Sequence, residues 1–346
     1  MDKHNPHMAE RQRLRGLTER LLDPEISGAS LLAATLELKA LFDRLSPLNR
    51  RDFLGTEDSP TALEQGIAVS IDCAARCAKE PLRVSRFLRG IEGAIETARR
   101  RFPAGPIHLL YAGTGPYAAL VSPLLTRHTP DRLQVSMLDI HHESLDSLRA
   151  ILNRLGLEKF VKAYLQTDAS RYRHPADDPI HIVVSETMTA GLAMEMQVPI
   201  TLNLAPQLTE GGLWVPESVS VNAVAGRPED LLVPVDRTAP PPYPPLVVGR
   251  ELGTVFRIGK EEGCTLAAMK GEASLPAEAI EVPADLEPGY VILLHTEVTV
   301  FGDIRLAGRD SSLNHLVSPP GGASATPGSR AALRYRLGKR PGLECA

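Results

Sequence analysis

Apolar positions recur every three to four residues through most of the first hundred residues. SLLAATLELKALFDRL (Ser30–Leu45) and ALEQGIAVSIDCAARCAKE (Ala62–Glu80) carry Leu, Ile and Ala at helical spacing. In SRFLRGIEGAIETARRRF (Ser85–Phe102), Phe87, Ile91, Ala94, Ile95 and Ala98 share one face with Arg and Glu opposite, which predicts an amphipathic helix. The pattern then changes. IHLLYAG (Ile107–Gly113) is a short apolar run closed by glycine, the form of a strand buried on both faces. Tyr117–Arg127 reads as a helix kinked at Pro123. LQVSMLDI (Leu133–Ile140) predicts a second strand, and ESLDSLRAILNRLGL (Glu143–Leu157) a helix ended by Gly156. VKAYLQTD (Val161–Asp168) and PIHIVVSE (Pro179–Glu186) predict two more strands. Strand and helix in alternation build an α/β fold, a parallel sheet with helices on both faces. Beyond residue 205 the chain holds 16 of its 29 prolines, and proline breaks helix interiors, so strands and loops are expected there. PPPYPP (Pro240–Pro245) and SPPGGASATPGS (Ser318–Ser329) read as loops.

Composition narrows the class without choosing a function. The 346 residues suggest two domains with an appended arm, at about 150 residues per domain. Hydrophobic residues at 43% and charged residues at 23% suit a soluble enzyme rather than a disordered chain. Lys+Arg 38 against Asp+Glu 42 leaves a net charge of −4, so no general basic field exists to hold nucleic acid or an anionic membrane. The longest uncharged run, Ile107–Thr126, contains Gly113, Gly115, Pro116 and Pro123 and does not make a regular membrane-spanning helix. MDKHNPHMAERQRLRG at the start has no apolar stretch of the signal-peptide kind. Cys73, Cys77, Cys264 and Cys345 form no CxxC pair and no zinc spacing. The expectation is a cytoplasmic protein with no metal centre, no nucleic-acid partner and no membrane anchor.

Four features carry candidate chemistry. The turn AGTGPY after the first strand holds Gly113, Thr114 and Gly115, where backbone can approach a ligand closely; a tight strand–helix turn without a ligand is the alternative. Pro116, Tyr117 and Ala118 follow Gly115, so the third glycine of a dinucleotide GxGxxG turn is missing, which disfavours a nicotinamide cofactor. Asp139 ends the next strand, where a carboxylate can take both hydroxyls of a ribose or, equally, serve a helix N-terminus. Asp168 ends the third strand, where an adenine amino group could be bound. Glu186 ends the fourth strand and Glu195 follows it. Two carboxylates facing one pocket grip a planar guanidinium through charge-assisted hydrogen bonds, whereas two unrelated loop glutamates do nothing of the kind. His141 and His142 follow the second strand, where they could line the cofactor pocket, but read first as solvated turn residues; Cys73 and Cys77 read as small core residues.

Glu186-Thr-Met, six residues and Glu195, after an apolar strand and before GGLWVP, resembles the double-glutamate loop of the protein arginine methyltransferases, with the same spacing of nine. KEPLRVSRFLRGIEGAI resembles that family's KDEVRT-type helix, and LLHTEVTVF (Leu293–Phe301) resembles its THW loop. The resemblance spans roughly residues 64–305. It implies a Rossmann-like domain that binds S-adenosylmethionine over residues 81–205, preceded by helices over 1–80 and followed by a β-barrel-like domain over 206–346. It further implies that Arg83 binds the cofactor's methionine carboxylate, that Gly113, Thr114, Gly115, Asp139 and Asp168 complete the cofactor site, and that His295 joins Glu186 and Glu195 as a catalytic group. A homodimer is implied as well, with residues 226–262 the candidate arm. The chain departs from the family where no Tyr precedes Tyr111, where Tyr117 replaces the last glycine of the turn, and where Thr296 replaces Trp. These changes point to an altered acceptor, such as free L-arginine or another small guanidine of a natural-product pathway. The alternatives are a peptide or another small nucleophile as acceptor, or a non-catalytic binding protein with the same fold.

Overall fold

The computed structural model describes residues 6–48, 59–232, 235–322 and 324–346. Part of the opening segment and Ala323 of the second proline-rich stretch therefore lie outside the described residues. Helix α1 (Pro6–Leu22) comes first. Leu14, Leu17 and Leu21, at spacings of three and four, are fully or almost fully buried. Helix α2 (Gly28–Leu45) follows, capped by the Ser27 hydroxyl.

The stretch read as one helix over Ala62–Glu80 divides instead into a hairpin and a short helix. Strands β1 (Thr61–Leu63) and β2 (Gly66–Ala68) pair antiparallel, and α3 covers only Ile71–Cys77. Gly66 takes φ 141°, and the Ser70 hydroxyl accepts the Cys73 N–H at 3.2 Å to start the helix. Helix α4 (Pro81–Arg101) has proline in its first turn, where the missing N–H costs nothing, and buries Val84, Phe87, Leu88, Ile91 and Ile95 along one face.

The core is a five-stranded parallel sheet. Strand β3 (Ile107–Ala112) is buried throughout; β4 (Leu133–Asp139), helix α5 (His142–Arg154) and β5 (Val161–Gln166) follow. Strand β6 (Ile182–Ser185), helix α6 (Gln197–Leu204) and β7 (Leu213–Val215) complete the order β5-β4-β3-β6-β7. All four pairings are parallel, and β7 lies beyond residue 205. The helix expected over Tyr117–Arg127 is replaced by turns and one 3-10 turn at Leu124–Thr126. Ala118 sits at φ 44° and Pro123 has no N–H to extend a helix.

The C-terminal region is β-rich but forms no closed barrel among the described residues. Strands β8 (Ser218–Gly226) and β9 (Arg250–Gly259) precede helix α7 (Lys260–Leu266), a departure from the strands and loops expected after residue 205. Then come β10 (Ser274–Pro276), β11 (Ile280–Glu281), β12 (Val291–Phe301), β13 (Ile304–Leu306), β14 (Arg330–Ala331), β15 (Leu333–Arg336) and β16 (Gly342–Cys345). They pair as β13-β12-β8-β9, β10-β15-β16 and β11-β14. Proline-rich connections, which cannot donate to a ladder, separate these sheets. The described residues of the candidate arm, 226–262, make contacts within their own chain. Their β9 pairs with β8, and Pro241 packs so closely on Gly28 that a Cβ there would meet its carbonyl oxygen at 1.6 Å. The strand sheet joins the parallel-sheet domain through α4, where a Cβ on Gly90 would lie 2.4 Å from Val300 Cγ1.

Candidate active site

The carboxyl ends of β3, β4 and β6 open on one cavity of about 500 Å³. The strand order reverses at β3, so this is the switch point at which parallel sheets place their ligands. Gly113 and Gly115 turn the chain there with φ of 78° and 58°. A Cβ on Gly113 would lie 2.3 Å from Thr187 Cγ2, so the glycine turn passes directly against the loop that follows β6. Asp139 fastens the turn to β4. Its Oδ2 accepts the Gly115 N–H at 2.8 Å and the Thr114 hydroxyl at 3.4 Å, and its Oδ1 accepts the His141 N–H at 2.9 Å. Asp168 accepts both the N–H and the hydroxyl of Ser170 through Oδ1, at 2.8 and 2.7 Å. Gly113, Thr114, Gly115, Asp139 and Asp168 all line the cavity.

Arg83, on the first turn of α4, is 6% exposed and lies between two carboxylates. Nη2 donates to Glu186 Oε2 at 2.5 Å and Nη1 to Glu80 Oε1 at 3.0 Å. Glu80 escaped the sequence analysis, although it stands three residues before Arg83 at ion-pair spacing. It also accepts the N–H and hydroxyl of Ser312, at 2.7 and 2.6 Å, which ties the C-terminal region to the mouth of the site. Burial opposes the charge on Glu80, but Arg83 and the Ser312 hydrogen bonds outweigh it and hold the carboxyl below its ordinary range.

Glu186 and Glu195 behave differently. Burial raises the Glu186 carboxyl even beside Arg83, and its Oε1 is buried without a hydrogen-bond partner. Burial, reinforced by the charge of Glu186, pushes Glu195 up to about 8, with Arg83 only partly opposing it. One guanidinium thus serves three carboxylates, and the pair Glu186 and Glu195 is short of a cation.

The chain between the two glutamates is strained and then gripped. Gly191, Leu192 and Met194 all have positive φ, at 72°, 53° and 67°; the two non-glycine residues cost about 1–3 kcal/mol each. Gly191 N–H donates to Thr296 Oγ1 at 2.7 Å, Tyr335 OH donates to the Leu192 carbonyl at 2.8 Å, and Met194 N–H donates to the Pro341 carbonyl at 2.8 Å. From the other side, Ile67 N–H donates to the Met194 carbonyl at 2.9 Å. Four distant segments set where Glu195 points.

The expected catalytic role of His295 finds no counterpart in this geometry. His295 lies on β12, buried, with Nε2 3.0 Å from the Gly308 carbonyl, and it does not line the cavity. Side chains alternate along a strand, so Thr296 takes the face toward the glutamate loop and His295 the opposite one. His141, read as a solvated turn residue, does line the cavity, and its Nε2 lies 3.0 Å from Thr61 Oγ1 of the N-terminal hairpin.

Solved structures share this fold. The PRMT1 enzyme–prozyme heterotetrameric complex of Trypanosoma brucei with AdoHcy matches with a TM-score of 0.52 and 11% identity, over 75% of this chain and 86% of that one. Protein arginine methyltransferase 10 of Arabidopsis thaliana, in an open conformation, matches with a TM-score of 0.51 and 10% identity, over 75% of this chain and 86% of that one. At such identity the likeness is one of fold. No protein-family model matches the sequence, and no curated protein is significantly similar to it. Among the described residues no helix is long and apolar enough to cross a membrane.

Proposed function

We propose that the protein is an S-adenosylmethionine-dependent N-methyltransferase whose acceptor is the guanidinium of arginine. The observation that carries this reading is the pair Glu186 and Glu195 at the cavity wall, one with a buried, unpartnered oxygen and the other raised to about 8 by burial and by the charge of Glu186. A guanidinium supplies that charge together with N–H groups aimed in one plane. The residues lining the cavity suit the cofactor: a glycine turn, the Asp139 carboxylate at the ribose position and Asp168 beyond it. Arg83 would receive the cofactor's carboxylate while shared with Glu80 and Glu186. When bound, the cofactor supplies an electrophilic methyl carbon. Glu186, paired with Arg83, holds the acceptor. Entry of the acceptor cation lowers the proton affinity of Glu195, whose carboxylate then orients the second edge of the guanidinium. The attacking nitrogen must shed a proton, and the same burial that raises Glu195 makes it a competent acceptor for that proton. Catalysis on this reading is positioning and electrostatics.

The acceptor we assign is free L-arginine or a small guanidine of secondary metabolism. Thr296 in place of a tryptophan, and a glutamate loop pinned inward by Thr296 and Tyr335, support a small acceptor over a threaded peptide. The likeness in fold to solved protein arginine methyltransferases favours the second reading, an arginine side chain in a peptide. Reactions with labelled S-adenosylmethionine and a panel of L-arginine, small guanidines and arginine peptides, read by mass spectrometry, separate the two. Methylated L-arginine is expected, with the peptides much slower. Comparable or higher kcat/KM on a peptide removes the small-acceptor reading, and no methylated guanidine at all removes the arginine reading. The homodimer belongs to the same proposal, and sedimentation velocity reads it directly.

A further inference from the structure

At the opposite edge of the parallel sheet from the cavity, the amino ends of β3 and β6 gather a second group of polar side chains. We propose that His108, His174 and Asp178 form a binding site for a divalent transition-metal ion, zinc by preference. His108 is the second residue of β3; His174 and Asp178 lie in the turn that leads into β6. The site is thus roughly 16 Å along β3 from the glycine turn, at about 3.3 Å per residue, and independent of the methyl-transfer reading.

The geometry is that of a metal's first coordination sphere before the metal enters. One donor atom from each residue lies within 4.8 Å of the others. His108 Nδ1 is 3.6 Å from Asp178 Oδ1, and His174 Nε2 is 3.2 Å from Asp178 Oδ2. Zinc–nitrogen and zinc–oxygen bonds of about 2.0–2.2 Å at tetrahedral angles place ligand atoms roughly 3.3–3.6 Å apart, so the edge from His174 Nε2 to Asp178 Oδ2 is close to that spacing, and His108 Nδ1, now beside the other oxygen of Asp178, completes the set after a small shift. The His174 side chain is 6% exposed, and its buried Nε2 makes no aligned hydrogen bond although Asp178 Oδ2 stands 3.2 Å away. A carboxylate oxygen thus faces that nitrogen without an aligned hydrogen bond between them, the spacing that two ligands of one ion keep.

The far nitrogens of both rings are supported. His174 Nδ1 lies 3.1 Å from the Tyr172 hydroxyl, and His108 Nε2 lies 2.8 Å from the Ser136 hydroxyl. Liganding histidines keep such a partner on the second nitrogen, which fixes the tautomer and aims the first. For His108 to bind, Nδ1 must give up its 3.1 Å contact with the Pro179 carbonyl, and its proton passes to Nε2, which then donates to Ser136. Lys162, half-exposed, now holds Asp178 by an ion pair through Oδ1. The dication takes its place, Lys162 swings to solvent, and water fills the fourth position from the open side.

Histidine spacing alone could not reveal this site. His174 and Asp178 are four apart in a turn, but His108 comes from a strand 66 residues earlier. The ion would pin the 172–179 turn to the foot of β3 and β6, closing the sheet at that edge.

The test is titration of the metal-free, untagged full chain with Co²⁺, followed by Zn²⁺ competition against a chromophoric chelator. One equivalent is expected, with visible cobalt bands of tetrahedral intensity that zinc abolishes. His174→Gln and Asp178→Asn should abolish stoichiometric binding. Tyr172→Phe should weaken it about tenfold, as loss of an outer partner does. Lys162→Ala should strengthen it by removing the competing cation. Circular dichroism confirms that each variant is folded, and Lys162→Ala remains decisive if His174→Gln is not. No bound equivalent, binding that His174→Gln leaves intact, or weaker binding in Lys162→Ala each overturn the proposal.

Discussion

Glu195→Gln is the perturbation that separates an active-site carboxylate from a loop residue, because it should make the protein more stable and less active at once. Glu195 has an ordinary value of 4.5 and is raised to about 8 in the fold, chiefly by burial and then by Glu186. The folded state therefore holds a proton between those values that the unfolded chain has released. Stability from this group falls as pH rises from about 4.5 to about 8, the reverse of a salt-bridged carboxylate. At about 1.4 kcal/mol per pH unit, the loss approaches roughly 5 kcal/mol as an upper bound, and relaxation or water entry will reduce it. Glutamine has the same shape and no charge, so the variant should not share that loss. Urea denaturation at pH 5 and pH 8 measures it: the wild type weakens between the two more than the variant does. In the same preparations kcat/KM for the guanidine should fall at least ~10²-fold, since a charge-assisted contact in a water-poor site is worth about 2.7 kcal/mol or more. The wild-type kcat/KM should climb as pH approaches 8, and the variant's should lose that limb. An equal pH slope of stability in both proteins would show that Glu195 is not held protonated by burial. Retention of activity would refute the clamp.

Other outcomes follow from the same geometry. Glu186→Gln should cut kcat/KM comparably, and the double variant should fall well short of the product of the single effects, because both residues grip one group. Arg83→Ala should weaken S-adenosylmethionine binding in calorimetry, by about 1.5–3 kcal/mol for a charge-assisted partner, while NAD shows no binding to either protein. Gly113→Ala should lose stability and cofactor affinity together in thermal melts, since the turn needs φ 78° and the new Cβ would meet Thr187 Cγ2 at 2.3 Å. His295→Gln should change the melting temperature and leave kcat within a few-fold, because its ring is bonded to Gly308 away from the cavity; a collapse of kcat in folded protein would restore it to the site.

Features set by local repetition were readable in the chain itself. The buried runs of β3, β4 and β6, the apolar stripe of α4 and the glycine turn at residues 113–115 follow from side-chain period and backbone permissiveness, which neighbours in sequence specify. Glu186 at a strand's end could be found the same way, and so could the parallel sheet. The hairpin over Thr61–Ala68 could not, because it is held by the distant Met194 carbonyl as much as by its own turn. Nor could the face that His295 takes, which depends on how β12 registers against β8 and where Thr296 meets Gly191. The proton affinity of Glu195 and the meeting of His108 with His174 and Asp178 belong to the tertiary structure alone. Burial and proximity are properties of packed elements: a carboxylate gains its altered chemistry only when the fold removes its water and sets another charge beside it.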